Sequence, residues 1–166
     1  LPVNEVGELA VKGPEMFLGY LQSEFNQSSF YRGYFLTGDL ASIDEEGYIQ
    51  IIGRKKDIII RGGENISVKE VEELLYEHES VNQVAIVAMP DEKMGEKACA
   101  YVKLHKNKEL DLETIKEYLL EKGLAIQKIP ERLEIIDEMP MTTSGKIQKY
   151  ILREDIKKKI EEEQKT

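Results

Sequence analysis

The sequence predicts an α+β protein: a short β-sheet covered by helices, preceded by a β-rich segment. Residues 1 to about 55 hold short apolar runs broken by Gly, Pro and acidic turns, the mark of strands. From Asp57 onward, β-branched runs alternate with segments whose apolar residues recur every third or fourth position, the mark of helices. The length of 166 residues suits one domain with an appendage and is enough for a real core.

Taken in order, Glu8-Leu9-Ala10-Val11 reads as a strand ended by Gly13-Pro14. Residues 39–53 read as a hairpin, with Asp44-Glu45-Glu46-Gly47 turning between Ala41-Ser42-Ile43 and Tyr48-Ile49-Gln50-Ile51-Ile52. A few such strands cannot close a core alone. Ile58-Ile59-Ile60 is a short strand. Ser67 and Glu70 have capping-box spacing ahead of a helix with Val68, Val71, Leu74 and Leu75 on its apolar face. Residues 81–89 read as a buried strand halted by Pro90, and residues 97–104 as an alternating one. Asp111 caps a helix carrying Leu112, Ile115, Leu119 and Leu120, which stops at Gly123. Residues 132–136 form a short strand, and a last helix runs from about Gln148 to Ile160 through Leu152 and Ile156. Its end, Lys157-Lys158-Lys159 followed by Glu161-Glu162-Glu163, reads as a solvated, fraying face.

The net charge of −9 argues against nucleic acid or an anionic membrane surface as a partner. A single cysteine, Cys99, excludes an internal disulfide and fits a reducing, cytoplasmic setting. Its place in a strand-like run makes it a buried structural thiol rather than a nucleophile. His78 and His105 have no neighbour at ligand spacing, so no protein-built metal site is expected. No apolar run is long enough for a transmembrane segment.

The chemistry-bearing residues lie in loops. Pro140-Met141-Thr142-Thr143-Ser144-Gly145-Lys146 is a Ser/Thr/Gly loop ending in a lysine; taken alone, such a lysine is an ordinary solvated residue. A phosphate-cradling P-loop would need Gly at position 140 and Ser or Thr after the lysine, where this chain has Pro140 and Ile147. Asp39, after Thr37-Gly38, could accept two hydrogen bonds from vicinal ribose hydroxyls, or be a plain turn aspartate. The forked guanidinium of Arg54 could hold a ribose hydroxyl or a phosphate oxygen, or lie on the surface in a basic run with Lys55 and Lys56. Gly62-Gly63-Glu64 reads as a tight loop after a strand, with glycines that permit positive φ and close approach to a ligand.

Gly7-Glu8-Leu9, Tyr34-Phe35-Leu36-Thr37-Gly38-Asp39, Gly53-Arg54-Lys55-Lys56-Asp57, Arg61-Gly62-Gly63-Glu64-Asn65-Ile66 and the lysine loop follow one another in an order and at spacings that carry a resemblance. Over nearly its whole length the chain resembles the C-terminal third of the AMP-forming adenylating enzymes, which include acyl-CoA ligases and peptide-synthetase adenylation domains. The resemblance implies that residues 1–55 are the end of a large AMP-binding domain and residues 56–166 the C-terminal domain. The large N-terminal portion is absent from this chain, which therefore reads as an inactive fragment of an acid–thiol ligase. It implies AMP or ATP binding by Asp39, Arg54 and Lys146, with Lys146 catalytic and Lys56 at the hinge. CoA binding would fall to Gly62, Gly63 and Glu64, although Met94 stands where some relatives carry a basic residue. The implied cofactors are ATP, CoA and Mg²⁺, the metal held mainly by ATP and the N-terminal domain; the implied partners are a carboxylic acid and that domain. Lys122-Gly123-Leu124-Ala125 with Lys128-Ile129-Pro130-Glu131-Arg132 is similar to both fatty-acid ligases and aryl-acid activators. Transfer to a carrier-protein pantetheine, or a non-catalytic docking module, are the alternatives.

Overall fold

The backbone divides at Lys56: the computed structural model, which describes residues 1–165, separates into a unit Leu1–Lys56 and a second unit from Asp57 onward. The first is an antiparallel sheet of β1 (Gly7–Val11), β2 (Phe30–Tyr31), β3 (Tyr34–Ile43) and β4 (Ile49–Arg54), in which the other three strands all pair with β3. The β3–β4 hairpin turns where the acidic run predicts it: the Tyr48 N–H donates to Asp44 Oδ1 at 2.8 Å, and Gly47 takes φ +87°.

One element departs from the all-β reading of this region. Ser23–Ser29 forms a helix, α1, with no buried residue, so it displays no apolar period to be read. Its Asn26 side chain fastens the preceding turn, accepting from the Tyr20 N–H at 2.7 Å and donating to the Tyr20 carbonyl at 3.0 Å. Phe17, Tyr20, Phe25, Phe30 and Phe35 stack edge-on or tilted around it.

The second unit holds five strands: β5 (Ile59–Arg61), β6 (Glu64–Ile66), β7 (Val81–Asp91), β8 (Gly95–Leu104) and β9 (Arg132–Ile135). Their order is β6-β5-β8-β7, with β9 also pairing with β8, in parallel, while the other pairs are antiparallel. Helices α2 (Val68–Tyr76), α3 (Leu112–Glu121) and α4 (Lys149–Glu163) cover the sheet.

The period of two in β8 is real, but both faces are covered, and Ala98 to Val102 are all buried. Ala98, Ala100 and Val102 join Val84 and Ile86 in a core with Val71 and Leu75 of α2 and Ile115 and Leu119 of α3. Cys99 and Tyr101 join Ala85 and Val87 in a second core closed by Leu152 and Ile156 of α4. A strand covered on both faces shows no polar side, so the alternation expected there runs between two apolar cores rather than between core and water.

Four further expectations need correction. β7 does not stop at Pro90 but runs to Asp91, with Pro90 opposite Glu96. β7 ends the sheet order, and a proline's missing N–H is tolerated on an edge. Ser67 occupies the N-cap of α2 but makes no side-chain capping bond, and the Glu70 carboxylate that would complete the box pairs with Lys128 instead. Leu120 is exposed, and Tyr118 packs on the core in its place, its hydroxyl donating to the Leu74 carbonyl at 3.1 Å. The end of α4 does not fray at the lysine run: Glu163 receives both Nη atoms of Arg132, at 2.8 and 2.7 Å, and Lys159 pairs with Glu134 and Asp155. The Asp111 cap forms as read, its carboxylate accepting from the Thr114 N–H at 2.8 Å.

Candidate functional site

In the first unit, the β3–β4 register sets Asp39 opposite Arg54, and Arg54 Nη1 donates to Asp39 Oδ1 at 2.8 Å. Thr37 prepares the approach: its hydroxyl donates to the Leu9 carbonyl at 3.1 Å and accepts from the Asp39 N–H at 3.1 Å. Gly38 between them takes φ +75°, a conformation that costs a residue with a Cβ about 1–2 kcal/mol. The pair keeps one carboxylate oxygen and most of a guanidinium fork outside the mutual bond, so both can still face a diol or phosphate. Gly38, Arg54, Lys55 and Lys56 line a hollow of about 410 Å³. Lys55 is tied to Glu8 at 2.7 Å, and Lys56 lies in the 3₁₀ turn Lys55–Asp57.

Gly62 and Gly63 are the two central residues of the β5–β6 hairpin, since Arg61 pairs with Glu64. Both have positive φ, 58° and 88°, as a two-residue turn matched to strand twist requires. The tight loop expected after a strand is a hairpin tip, with Glu64 on β6. The Gly62 N–H donates to the Met94 carbonyl at 2.8 Å, and a Cβ on Gly62 would lie 2.8 Å from Met94 Cε, whereas one on Gly63 would meet nothing within 4 Å.

The lysine loop is not slack. Met141 and Ile147 form a β-bridge, the Thr142 N–H donates to the Lys146 carbonyl at 2.8 Å, and the Lys146 N–H donates to Thr142 Oγ1 at 3.0 Å. Gly145, at φ +80°, closes the turn, with its N–H donating to the Thr142 carbonyl at 3.0 Å. Buried Met139 and half-buried Ile147 root it in the α4 core. Lys146 is therefore presented from a braced turn, exposed, and no described residue forms an ion pair with it.

Sequence reasoning missed the charged group beneath that turn. Lys149 contacts Glu72 at 2.7 Å and Asp57 at 3.9 Å, and Arg153 contacts Asp57 at 3.0 Å. Glu72 also accepts from the Ile86 N–H at 2.6 Å. Burial pushes the Glu72 carboxyl above its ordinary range, against the opposing pull of Lys149. The only signal in the sequence is the i, i+4 spacing of Lys149 and Arg153; their partners lie far upstream.

A larger hollow of about 980 Å³ in the second unit, lined among others by Asp91, Lys97 and Arg132, contains none of these residues. Two of its charges are already paired, Lys97 with Asp91 at 2.6 Å and Arg132 with Glu134 and Glu163, so size alone does not make it the site. Among the described residues, no three His, Cys, Asp or Glu side chains converge to hold a metal. No helix among them is long and apolar enough to cross a membrane.

Residues 70–146 match the family model described as "AMP-binding enzyme C-terminal domain", a match that ends on the lysine itself. The Medium-chain fatty-acid–CoA ligase of Escherichia coli (strain K12) is 45% identical over 163 residues, covering 96% of this chain and 29% of that protein. Enterobactin synthase component E of the same organism is 46% identical over 156 residues, 93% of this chain and 29% of that one. Among solved structures, ATP-bound MatB from Rhodopseudomonas palustris superposes with a TM-score of 0.85 at 38% identity, covering 95% of this chain and 31% of that chain. The chain thus spans a little under a third of the length of the proteins it matches.

Proposed function

Because this chain belongs to the AMP-forming, adenylate-forming enzymes, we propose that it is the part of an acid–CoA ligase that delivers Lys146 to the reacting phosphate and later withdraws it. The observation that carries the reading is the presentation of Lys146: a lysine without an ion-pair partner among the described residues, on a turn closed by three hydrogen bonds. Activation joins a carboxylate to the α-phosphate of ATP, a meeting of two anions. A lysine bridging both offsets their repulsion and stabilises the charge that builds in the pentavalent transition state. Asp39 would accept from the ribose hydroxyls, with Arg54 holding its carboxylate in place and reaching a ribose or phosphate oxygen. Magnesium travelling with ATP would neutralise phosphate charge. In the second step the unit from Asp57 onward would rotate at Lys56, bringing the Gly62-Gly63 tip to the acyl-adenylate, where the CoA thiol displaces AMP.

The test is ATP–pyrophosphate exchange by a full-length protein carrying this chain. Lys146→Ala should lose about 10²–10³ in exchange rate, while still converting preformed acyl-adenylate to thioester. Unchanged exchange would remove Lys146 from the chemistry. The chain is about as similar to a synthase component (46%) as to a fatty-acid–CoA ligase (45%), so a second reading stands beside the first: passage of the acyl group to a carrier-protein pantetheine. Turnover with free CoA compared against a carrier protein separates the two.

A further inference from the structure

The charged group under the lysine turn joins two places that the sequence keeps far apart. Asp57 is the first residue after Lys56 and ends the 3₁₀ turn from which β5 begins. Lys149 and Arg153 stand on the first turns of α4, and Lys149 follows Lys146 by three residues. The side chains of Asp57, Glu72, Lys149 and Arg153 keep only 12, 16, 17 and 27% of their exposure, so the pairs sit largely out of water, where breaking one strands its partner. Surface ion pairs elsewhere on the chain, such as Lys69–Glu73 with side chains 45 and 66% exposed, hold nothing comparable.

We propose that Asp57, with Arg153 and Lys149, is a clamp that ends the pivot on its downstream side and fixes the lysine turn to it, making these three residues positioning residues for Lys146. The proposal rests on the ligase reading above for its consequence, not for its geometry. If rotation occurs at Lys56, it must be transmitted to a lysine 90 residues further along the chain. β5 is three residues long and its ladder with β8 is a single pair, Arg61 with Gly95. With Ile59 buried in the core, the Ile60 N–H donating to Glu96 and Arg61 paired with Glu131, it gives one path from Asp57 into the sheet. The clamp adds a second that leads straight to α4. Arg153 grips Asp57 directly, and Lys149 ties the same helix to Glu72 of α2, whose carboxylate in turn accepts from β7. Movement at Asp57 therefore reaches the lysine turn through α4 as one rigid piece, and bending is confined to residues before Asp57.

The test uses the full-length protein with Arg153→Met, Arg153→Lys and Asp57→Asn, read by amide hydrogen exchange and by the two half-reactions. Arg153→Met should speed amide exchange over residues 57–61 and 141–149 while β7 and β8 keep their protection. It should lower kcat for ATP–pyrophosphate exchange by about tenfold or more, with KM for ATP moved by less than about twofold, as expected for a misplaced rather than a missing group. Arg153→Lys should recover most of both effects. Asp57→Asn, which keeps shape and removes charge, should reproduce the Arg153→Met pattern and serves if that variant does not fold. Loss of protection spread evenly over the sheet, or unchanged exchange at 141–149, would overturn the clamp. Lys146→Ala is run beside them: if it leaves adenylation intact the ligase reading fails, and the amide exchange still decides the clamp.

Discussion

The two units are built to opposite plans. Among the described residues, the unit from Asp57 onward buries two clusters on either side of one sheet, whereas Leu1–Lys56 buries a single apolar residue, Ala41. The first unit has no lack of apolar material. Leu18 and Leu21 are fully exposed, and Tyr31, Tyr48 and Ile49 are more than half exposed. It has strands and turns but no second layer, and a sheet with one layer cannot keep its apolar side from water. Secondary structure and a folded core are therefore separate achievements in this chain: local sequence supplied the first in both units, and only the second unit has helices placed to supply the other.

The largest expected effect sharpens that contrast. Leu119→Ala, in the fully buried core between α3 and the sheet, should cost about 2–5 kcal/mol in denaturant unfolding. Amide exchange in β7 and β8 should accelerate with it while β3 stays as it was; a parallel change in β3 would mean that the two units share one folding transition.

Next comes the hairpin tip. Gly63→Ala places a Cβ at φ +88° in open space, so its cost is backbone strain alone, about 1–2 kcal/mol. Gly62→Ala adds a close approach only to Met94 Cε, the free end of a flexible side chain, and should cost little more than Gly63→Ala. A clearly larger loss for Gly62→Ala in thermal unfolding would mean that Met94 cannot move aside.

The smallest effect is electrostatic. Burial works against Glu134 and Asp155 as carboxylates, but hydrogen bonds from Lys159, with Arg132 on Glu134 and the Tyr101 hydroxyl on Asp155, hold both below their ordinary range. A depressed folded pKa contributes stability above the unfolded value and loses it as pH falls through the folded one. Glu72 runs the other way: its raised folded pKa means stability falls as pH rises from the ordinary carboxylate value to the folded one. Lys159→Gln should then lower Tm measurably near pH 6, and by less as pH falls through the folded values of the two carboxylates and they take up protons. A Tm loss independent of pH would assign Lys159 to packing over Tyr101 rather than to charge.

Much of this was legible in the sequence, and the misses have physical causes. Val71, Leu75, Ile115 and Ile156 were read correctly because an amphipathic helix writes its buried face into its spacing. The Asp111 cap was visible because donor and acceptor lie three residues apart. The Ser67 box does not form, Glu70 pairs instead with a residue 58 positions away, and no local rule sees that distance. The same limit hid Asp57–Arg153, separated by 96 residues. In the lysine loop, Thr, Ser and Gly suit a mobile segment as well as a braced turn; which one they make is decided by Met139 and Ile147 finding the α4 core.

Cys99 lies at the centre of β8, with none of its surface open to solvent. Burial first, and then the charge of Glu134, push its thiol up to about 12. At neutral pH the sulfur is thus both unreachable and protonated, and a thiol reagent can modify it only when that sheet opens. With no other cysteine in the sequence, the molecule carries its own single-site clock: the rate of labelling by such a reagent counts the openings of the second unit alone, whatever the first unit is doing.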